Sequence, residues 1–281
     1  MNTELKNALE KHCKALNIPF SNLDTIGESE THIKDIVIKI ERYDHYESPR
    51  EWDNVGTMVC WHRNYNLGDE QPSITPQEYQ IGMIEEVEPG FEEILERFEN
   101  QWPTTRCDAE GLADFNQQVQ AKIESRLEKY FLMLPLYLYD HSGITMNTGG
   151  FSCAWDSGQV GFIYVSKEKA RKEYGFKRLT EKRIQQCYKY LEGEVETYAS
   201  ALEGNVYGYV IESATGDIDD SCWGFYGPEG EGWALEQALS EVVAHKKTRV
   251  AERLEKIKVW VKNQVPLLKR NELVTTLPVL Y

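Results

Sequence analysis

The segment from Leu134 to Gly158 holds the densest set of side chains able to do chemistry. Asp140, His141 and Ser142 follow one another directly after an apolar run, and Asp156 comes next to Trp155 beyond a glycine-rich stretch. A carboxylate, an imidazole and a hydroxyl are the parts of a nucleophilic relay, in which the acid orients the base and the base activates the hydroxyl. Adjacent residues on an extended chain point to alternate sides, so the triplet cannot form a relay unaided. The Gly-x-Ser-x-Gly elbow is missing as well. Asp140, His141, Ser142 and Asp156 are therefore the candidate catalytic residues, set against a plainer role in which Asp140 or Ser142 caps the backbone of a turn.

Other chemistries find less. His45, His62 and His141 sit near expected strand ends, but no His-Glu-x-x-His or His-x-Glu motif is present, and Asp217, Asp219 and Asp220 lack the positions of a calcium loop. These residues imply no metal site, and no cofactor is expected. The glycines at 149–150 and 158–161 match neither a P-loop nor a dinucleotide fingerprint. Trp155, Tyr164 and Trp223 could line a groove for bases or a peptide, with Asp217, Asp219 and Asp220 as acidic contacts; core packing is the competing explanation for the aromatics.

These side chains need elements to hold them. Period-two alternation of Ile36, Ile38 and Ile40 predicts a strand over 35–43, and Val55–Arg63 reads as a second, joined to the first as a long-looped hairpin. Pro72 and Pro76 mark an irregular stretch. Helices are expected over 1–20, 91–98, 109–129, 179–202 and 233–260, with Thr180 opening and Gly204 closing the fourth. Phe131–Tyr139 reads as a buried strand in which Pro135 demands a bulge or an edge. Further strands are expected over Gly150–Trp155, Val160–Val165, Asn205–Ile211 and Ser221–Tyr226, the last two as a hairpin around Thr215–Gly216–Asp217. Strands and helices without regular βαβ alternation imply an α+β fold: a mixed, largely antiparallel sheet with packed helices and a C-terminal helical extension. The corresponding division is an N-terminal helical segment over 1–30, an α+β core over 31–227 and a helical region over 228–281.

The chain of 281 residues has 41% hydrophobic residues, enough for a real core. Its six cysteines are widely spaced and read as reduced, mostly buried thiols. No secretory signal and no apolar stretch of membrane-spanning length is evident, so the expected location is the cytoplasm. A net charge of −15 opposes direct binding to a phosphate backbone. The charge is also segregated: Glu85–Glu99 carries seven Glu against one Arg, while Ser166–Tyr190 carries nine bases against three acids. Such segregation suits solvated helix faces or a surface that meets a charged partner.

The runs Tyr137–Met146 (Tyr-Leu-Tyr-Asp-His-Ser-Gly-Ile-Thr-Met), Phe151–Lys167, Glu194–Tyr198 and Asp220–Gly227 resemble a protein family encoded by tailed bacteriophages, plasmids and other mobile elements, with Trp52–Cys60 similar to its N-terminal signature. The likeness spans about residues 35–227 and brings no assigned catalytic residues. It implies an accessory protein of a mobile element, acting in a host cytoplasm by binding and inhibiting an anti-phage defence complex, through acidic imitation of nucleic acid or through occlusion; self-association is compatible with this. Two alternatives stand beside it: a hydrolase or nucleotide-processing enzyme using Asp140, His141 and Asp156, and a sponge for a nucleotide signal.

Overall fold

The computed structural model describes residues 23–25, 30–33, 36–102, 109–213 and 217–264. The helix expected over 1–20, part of the turn around Thr215–Gly216, Cys13 and Cys107 lie outside them. In chain order the strands are β1 (Leu23–Thr25), β2 (Glu30–Ile33), β3 (Ile36–Arg42), β4 (Thr57–Cys60), β5 (Phe131–Asp140), β6 (Ile144–Asn147), β7 (Ser157–Ser166), β8 (Val206–Ser213) and β9 (Ile218–Tyr226). The helices are α1 (Pro76–Val87), α2 (Phe91–Asn100), α3 (Ala109–Tyr130), α4 (Lys167–Glu173), α5 (Glu181–Leu202) and α6 (Gly230–Gln264). The fold is α+β with antiparallel sheets and a long C-terminal helix.

The chain divides into two compact units, neither matching the division into 1–30, 31–227 and 228–281. One holds residues 44–205; the other joins the described residues up to Tyr43 to those from Val206 onward. The physical reason is strand pairing. β3 pairs with β8 over its whole length, Ile36 opposite Ser213 through Arg42 opposite Tyr207. β4 pairs instead with β7. The expected hairpin between β3 and β4 therefore does not form; the two strands belong to different sheets.

In the unit of residues 44–205 the sheet order is β4-β7-β5-β6, and alternation along each strand feeds two opposite layers. Met58, Cys60, Leu132, Leu136, Ile163 and Val165 face α5, where they meet Cys187, Leu191, Val195 and Tyr198. Val59, Phe131 and Phe162 face the other way, onto Met83, Ile84, Phe91, Ile123 and Leu127. Pro135 fits because the β5–β7 register shifts just after it, at Leu136/Tyr137, and β6 pairs only with Tyr137–Asp140. Gly161 is required where β7 pairs with the end of β4, since a Cβ there would lie 1.9 Å from the carbonyl oxygen of Val59. The stretch read as irregular around Pro76 begins α1. Thr75 and Glu78 form a reciprocal cap and Pro76 occupies the first turn, where its missing N–H has no partner to lose.

A buried ionic knot joins this unit's parts. Arg50, on a single 3₁₀ turn (Pro49–Glu51), donates to both Asp69 oxygens at 2.9 and 2.6 Å, to Glu194 Oε2 at 3.0 Å and to the Gly56 carbonyl at 2.7 Å. The backbone N–H of Met58 donates to Asp69, and those of Val55 and Gly56 to Glu194. Side-chain exposure is 5% for Arg50, 15% for Glu194 and 23% for Asp69. Burial alone would lower the Arg50 pKa; the bonds and charges of Asp69 and Glu194 outweigh it and hold the guanidinium above its ordinary value. Burial first, then the Asp69 charge, pushes the nearby Cys60 thiol up to about 12, so it stays protonated. Cys187 is buried too, Cys153 is half-buried, and Cys222 is exposed, contrary to the expectation of mostly buried thiols for that residue.

In the other unit the sheet order is β1-β2-β3-β8-β9. Ile38, Ile40, Tyr209 and Ile211 pack against Ala234, Leu235, Ala238, Leu239 and Val242 of α6. Among the described residues no helix is long and apolar enough to cross a membrane.

The acidic run from Glu85 to Glu99 is partly internal wiring. Glu85 accepts from the backbone N–H of Gly90 and Glu92, capping α2, and Glu88 receives Arg126, Lys129 and the Tyr130 hydroxyl. Glu93 pairs with Arg97 one turn on, with both side chains about 70% exposed.

Removing Glu194 takes one of two counter-charges from a guanidinium held out of water and the acceptor from the backbone N–H of Val55 and Gly56. Glu194→Ala is expected to cost about 3–5 kcal/mol in urea unfolding. Glu93→Ala, which breaks an exposed helical pair, is expected to cost under about 0.5 kcal/mol by the same measurement.

Candidate functional site

β5 ends at Asp140 and turns back through His141, Ser142 and Gly143 into β6, with Asp140 opposite Ile144. Ser142 adopts the left-handed region at φ 59°, and the His141 N–H donates to the Gly143 carbonyl at 3.1 Å. The turn role is thus real for Ser142, but through its backbone. The stretch 150–155, expected as a strand, is a loop because its backbone bonds locally. Asn147 Oδ1 accepts from the Gly150 N–H at 2.7 Å, and Ser157 Oγ donates to the Cys153 carbonyl. The Asp140 N–H donates to the Asp156 carbonyl at 2.8 Å, and this bond brings two sequence-distant carboxylates to one place.

The side chains then organise around those two acids. His141 Nδ1 lies 3.4 Å from Asp156 Oδ2, and Cys153 Sγ donates to the same oxygen at 3.5 Å. Tyr65 donates its hydroxyl to Asp140 Oδ1 at 3.2 Å. That bond, followed by desolvation and the Asp140 charge, raises the Tyr65 pKa above the ordinary tyrosine value. His62 stacks on Tyr65 at 4.9 Å, and its Nδ1 accepts from the backbone N–H of Asn64 and Tyr65. An Nδ1 that accepts is unprotonated, which assigns the proton of the neutral ring to Nε2. An open depression of about 290 Å³ is lined by His62, Asp140, Trp155, Asp156, Ser157 and Val160, among others. Trp155 stands at its rim with 97% of its surface exposed.

Of the candidate catalytic residues, Asp140, His141 and Asp156 converge; Ser142 does not join them. Among the described residues no hydroxyl or thiol is hydrogen-bonded to His141, so the Asp156–His141 pair lacks a nucleophile, and the Cys153 thiol is directed at the carboxylate instead of the imidazole. The candidate binding residues are scattered. Tyr164 lies seven positions along β7 from Ser157, about 23 Å on an extended strand, and packs on Phe131 and Phe162 as part of the core. Trp223, Asp217, Asp219 and Asp220 belong to the other unit. There Trp223 covers Gly208, where a Cβ would approach its ring to 2.0 Å, and it contacts Tyr43 at 4.9 Å between ring centroids. Tyr65 and Cys153 were missed from sequence, and His62 stood out only as a histidine near an expected strand end. Only Cys153, three residues before Asp156, carried a local signal; Tyr65 reaches Asp140 through tertiary structure alone, with His62 stacked on its ring.

No family of known proteins, no curated protein and no solved structure matches this chain.

The Tyr65–Asp140 bond gives a direct measurement. In an NMR titration of ¹³Cζ-tyrosine-labelled protein, Tyr65 is expected to ionise above about 10, the ordinary value. Asp140→Asn is expected to move that midpoint down, and an unmoved midpoint would contradict the contact.

Proposed function

We propose that the chain is a non-catalytic binding protein that seats a basic side chain of a partner protein against Trp155, Asp140 and Asp156. The observation that carries this is the 97% exposure of Trp155 beside two converging carboxylates. A single fully exposed tryptophan carries little meaning by itself. Next to paired acids, however, an indole face and two carboxylates form a complementary seat for an Arg or Lys, through cation–π attraction and charge-assisted hydrogen bonds. The net charge of −15 would steer such an encounter and make it salt-sensitive. The resemblance to proteins of phages and plasmids supports a more specific setting, in which the partner is a host defence complex whose basic nucleic-acid groove or contact face is occluded.

The test is a pull-down from host lysate with wild type, Trp155→Ala and the double variant Asp140→Asn/Asp156→Asn, paired with phage plating on a defended strain. A partner retained by wild type, with both variants weakened at least about tenfold and defence restored, is the expected result. Equal retention by all three proteins would remove the Trp155 seat, and no effect on plating would remove the defence reading.

One observation favours a second reading. His141 Nδ1 lies 3.4 Å from Asp156 Oδ2, which leaves Nε2 as the nitrogen to act as a general base. If that pair acts on substrates, hydrolysis of an activated ester such as p-nitrophenyl acetate should disappear in His141→Ala; equal rates would dismiss it.

A further inference from the structure

Helix α6 meets its sheet along a row of small residues. Ala234 and Ala238 are fully buried against β3 and β8, and continuing the same row by the three- and four-residue steps of a helix leads to Glu241 and His245. The apolar row therefore ends on a carboxylate and an imidazole one turn apart. Across from them is Asp220 of β9. Its strand partner is Ile211, a core residue facing α6, so Asp220 stands on the helix side of the sheet at its edge.

The donor atoms of Asp220, Glu241 and His245 all lie within 4.8 Å of one another. Metal–ligand bonds of about 2.0–2.4 Å place neighbouring donors about 3 Å apart and opposed donors up to about 4.8 Å apart, so one ion can reach all three. Each carboxylate is also oriented by a further bond. Asp220 accepts from the Tyr209 hydroxyl at 3.4 Å and from the Ser221 N–H at 2.9 Å, while Glu241 accepts from Gln237 at 2.9 Å. Hydrogen bonds of this kind hold ligating carboxylates in place in metal sites.

A second observation concerns charge. Among the described residues no basic side chain is ion-paired with Asp220 or Glu241. Two carboxylates therefore approach one imidazole with no ion pair to a described basic side chain.

We propose that Asp220, Glu241 and His245 bind one divalent first-row transition-metal ion, clamping the edge strand β9 to α6. Two carboxylates and one imidazole suit manganese, iron(II) or zinc better than calcium, whose sites are built from oxygen. Asp220 and Glu241 are half-buried and His245 is exposed, so water completes the coordination shell. The site belongs to the unit that does not contain Trp155, and it is independent of the binding function proposed above.

The experiment titrates the full-length protein, freed of metal by chelation, with Mn²⁺ followed by electron paramagnetic resonance, and then displaces it with Zn²⁺. One bound Mn²⁺ per chain is expected, displaced by Zn²⁺ and accompanied by a rise in melting temperature. Glu241→Gln and His245→Ala, each checked for intact folding by circular dichroism, are expected to weaken binding at least about tenfold, since even the outer-sphere partners of metal ligands contribute about 10–100-fold. His141→Ala, which removes an imidazole beside a carboxylate elsewhere, should leave it unchanged. No binding by the wild type at millimolar Mn²⁺ or Zn²⁺, binding that survives both substitutions, or binding lost with His141→Ala would each overturn the assignment.

Discussion

The unit of residues 44–205 is organised around a guanidinium that has left water. Removing a charge from solvent is costly, and the cost is met only if its hydrogen-bonding capacity is filled with good geometry. Arg50 fills it with two carboxylates and a carbonyl, and backbone N–H groups in turn satisfy the carboxylates. The 3₁₀ turn, the entry to β4, the loop carrying Asp69 and the middle of α5 are thereby fixed to one point. Those same pieces set β4 beside β7, and the pairing of β7 with β5 sets Tyr139 opposite Ser157. Asp156 consequently arrives next to Asp140.

That chain of constraint explains why the acid pair sits on a rigid base while its surroundings are loops. Two aspartates 16 positions apart in sequence are joined by a backbone hydrogen bond, so the main chain fixes the spacing of the positions from which their carboxylates project. The indole beside them, by contrast, touches little. A fixed pair of charges thus stands beside an exposed aromatic side chain, the arrangement on which the proposed recognition of a basic partner rests.

How much of this was legible in the sequence follows from whether the signal was local. Periodicity located α3, α5 and α6 and the strands β3, β5, β7 and β8 to within a few residues, because each buries a regular face, and β9 was placed by the turn before it. It failed at α1, where Pro76 reads as a breaker yet occupies the first turn of a helix, and where Thr75 with Glu78 was the overlooked signal. It failed at 150–155, where apolar residues bond locally and build a loop. Pairing was not legible at all: nothing near Ile36 says that its partner is Ser213. The same holds for the site. Asp140, His141 and Asp156 stood out as residue types close in sequence, whereas the contacts of Tyr65 and His62, and the approach of Glu241 and His245 to Asp220, exist only once the sheets have formed.

The pairing of β3 with β8 has a consequence for how the molecule comes to be. On the ribosome, β3 emerges with its main partner still unsynthesised, and must wait while residues 44–205 are translated, on the order of ten seconds at about 5–20 residues per second. During that interval the intervening unit, which draws its core from its own stretch of chain, can close by itself. When Val206 follows, its carbonyl accepts from the Tyr43 N–H at 2.8 Å, so the segment translated between them leaves and re-enters the sheet of β3 and β8 at a single point. The polypeptide is built like a parenthesis, and the enclosed clause is complete before the sentence around it can end.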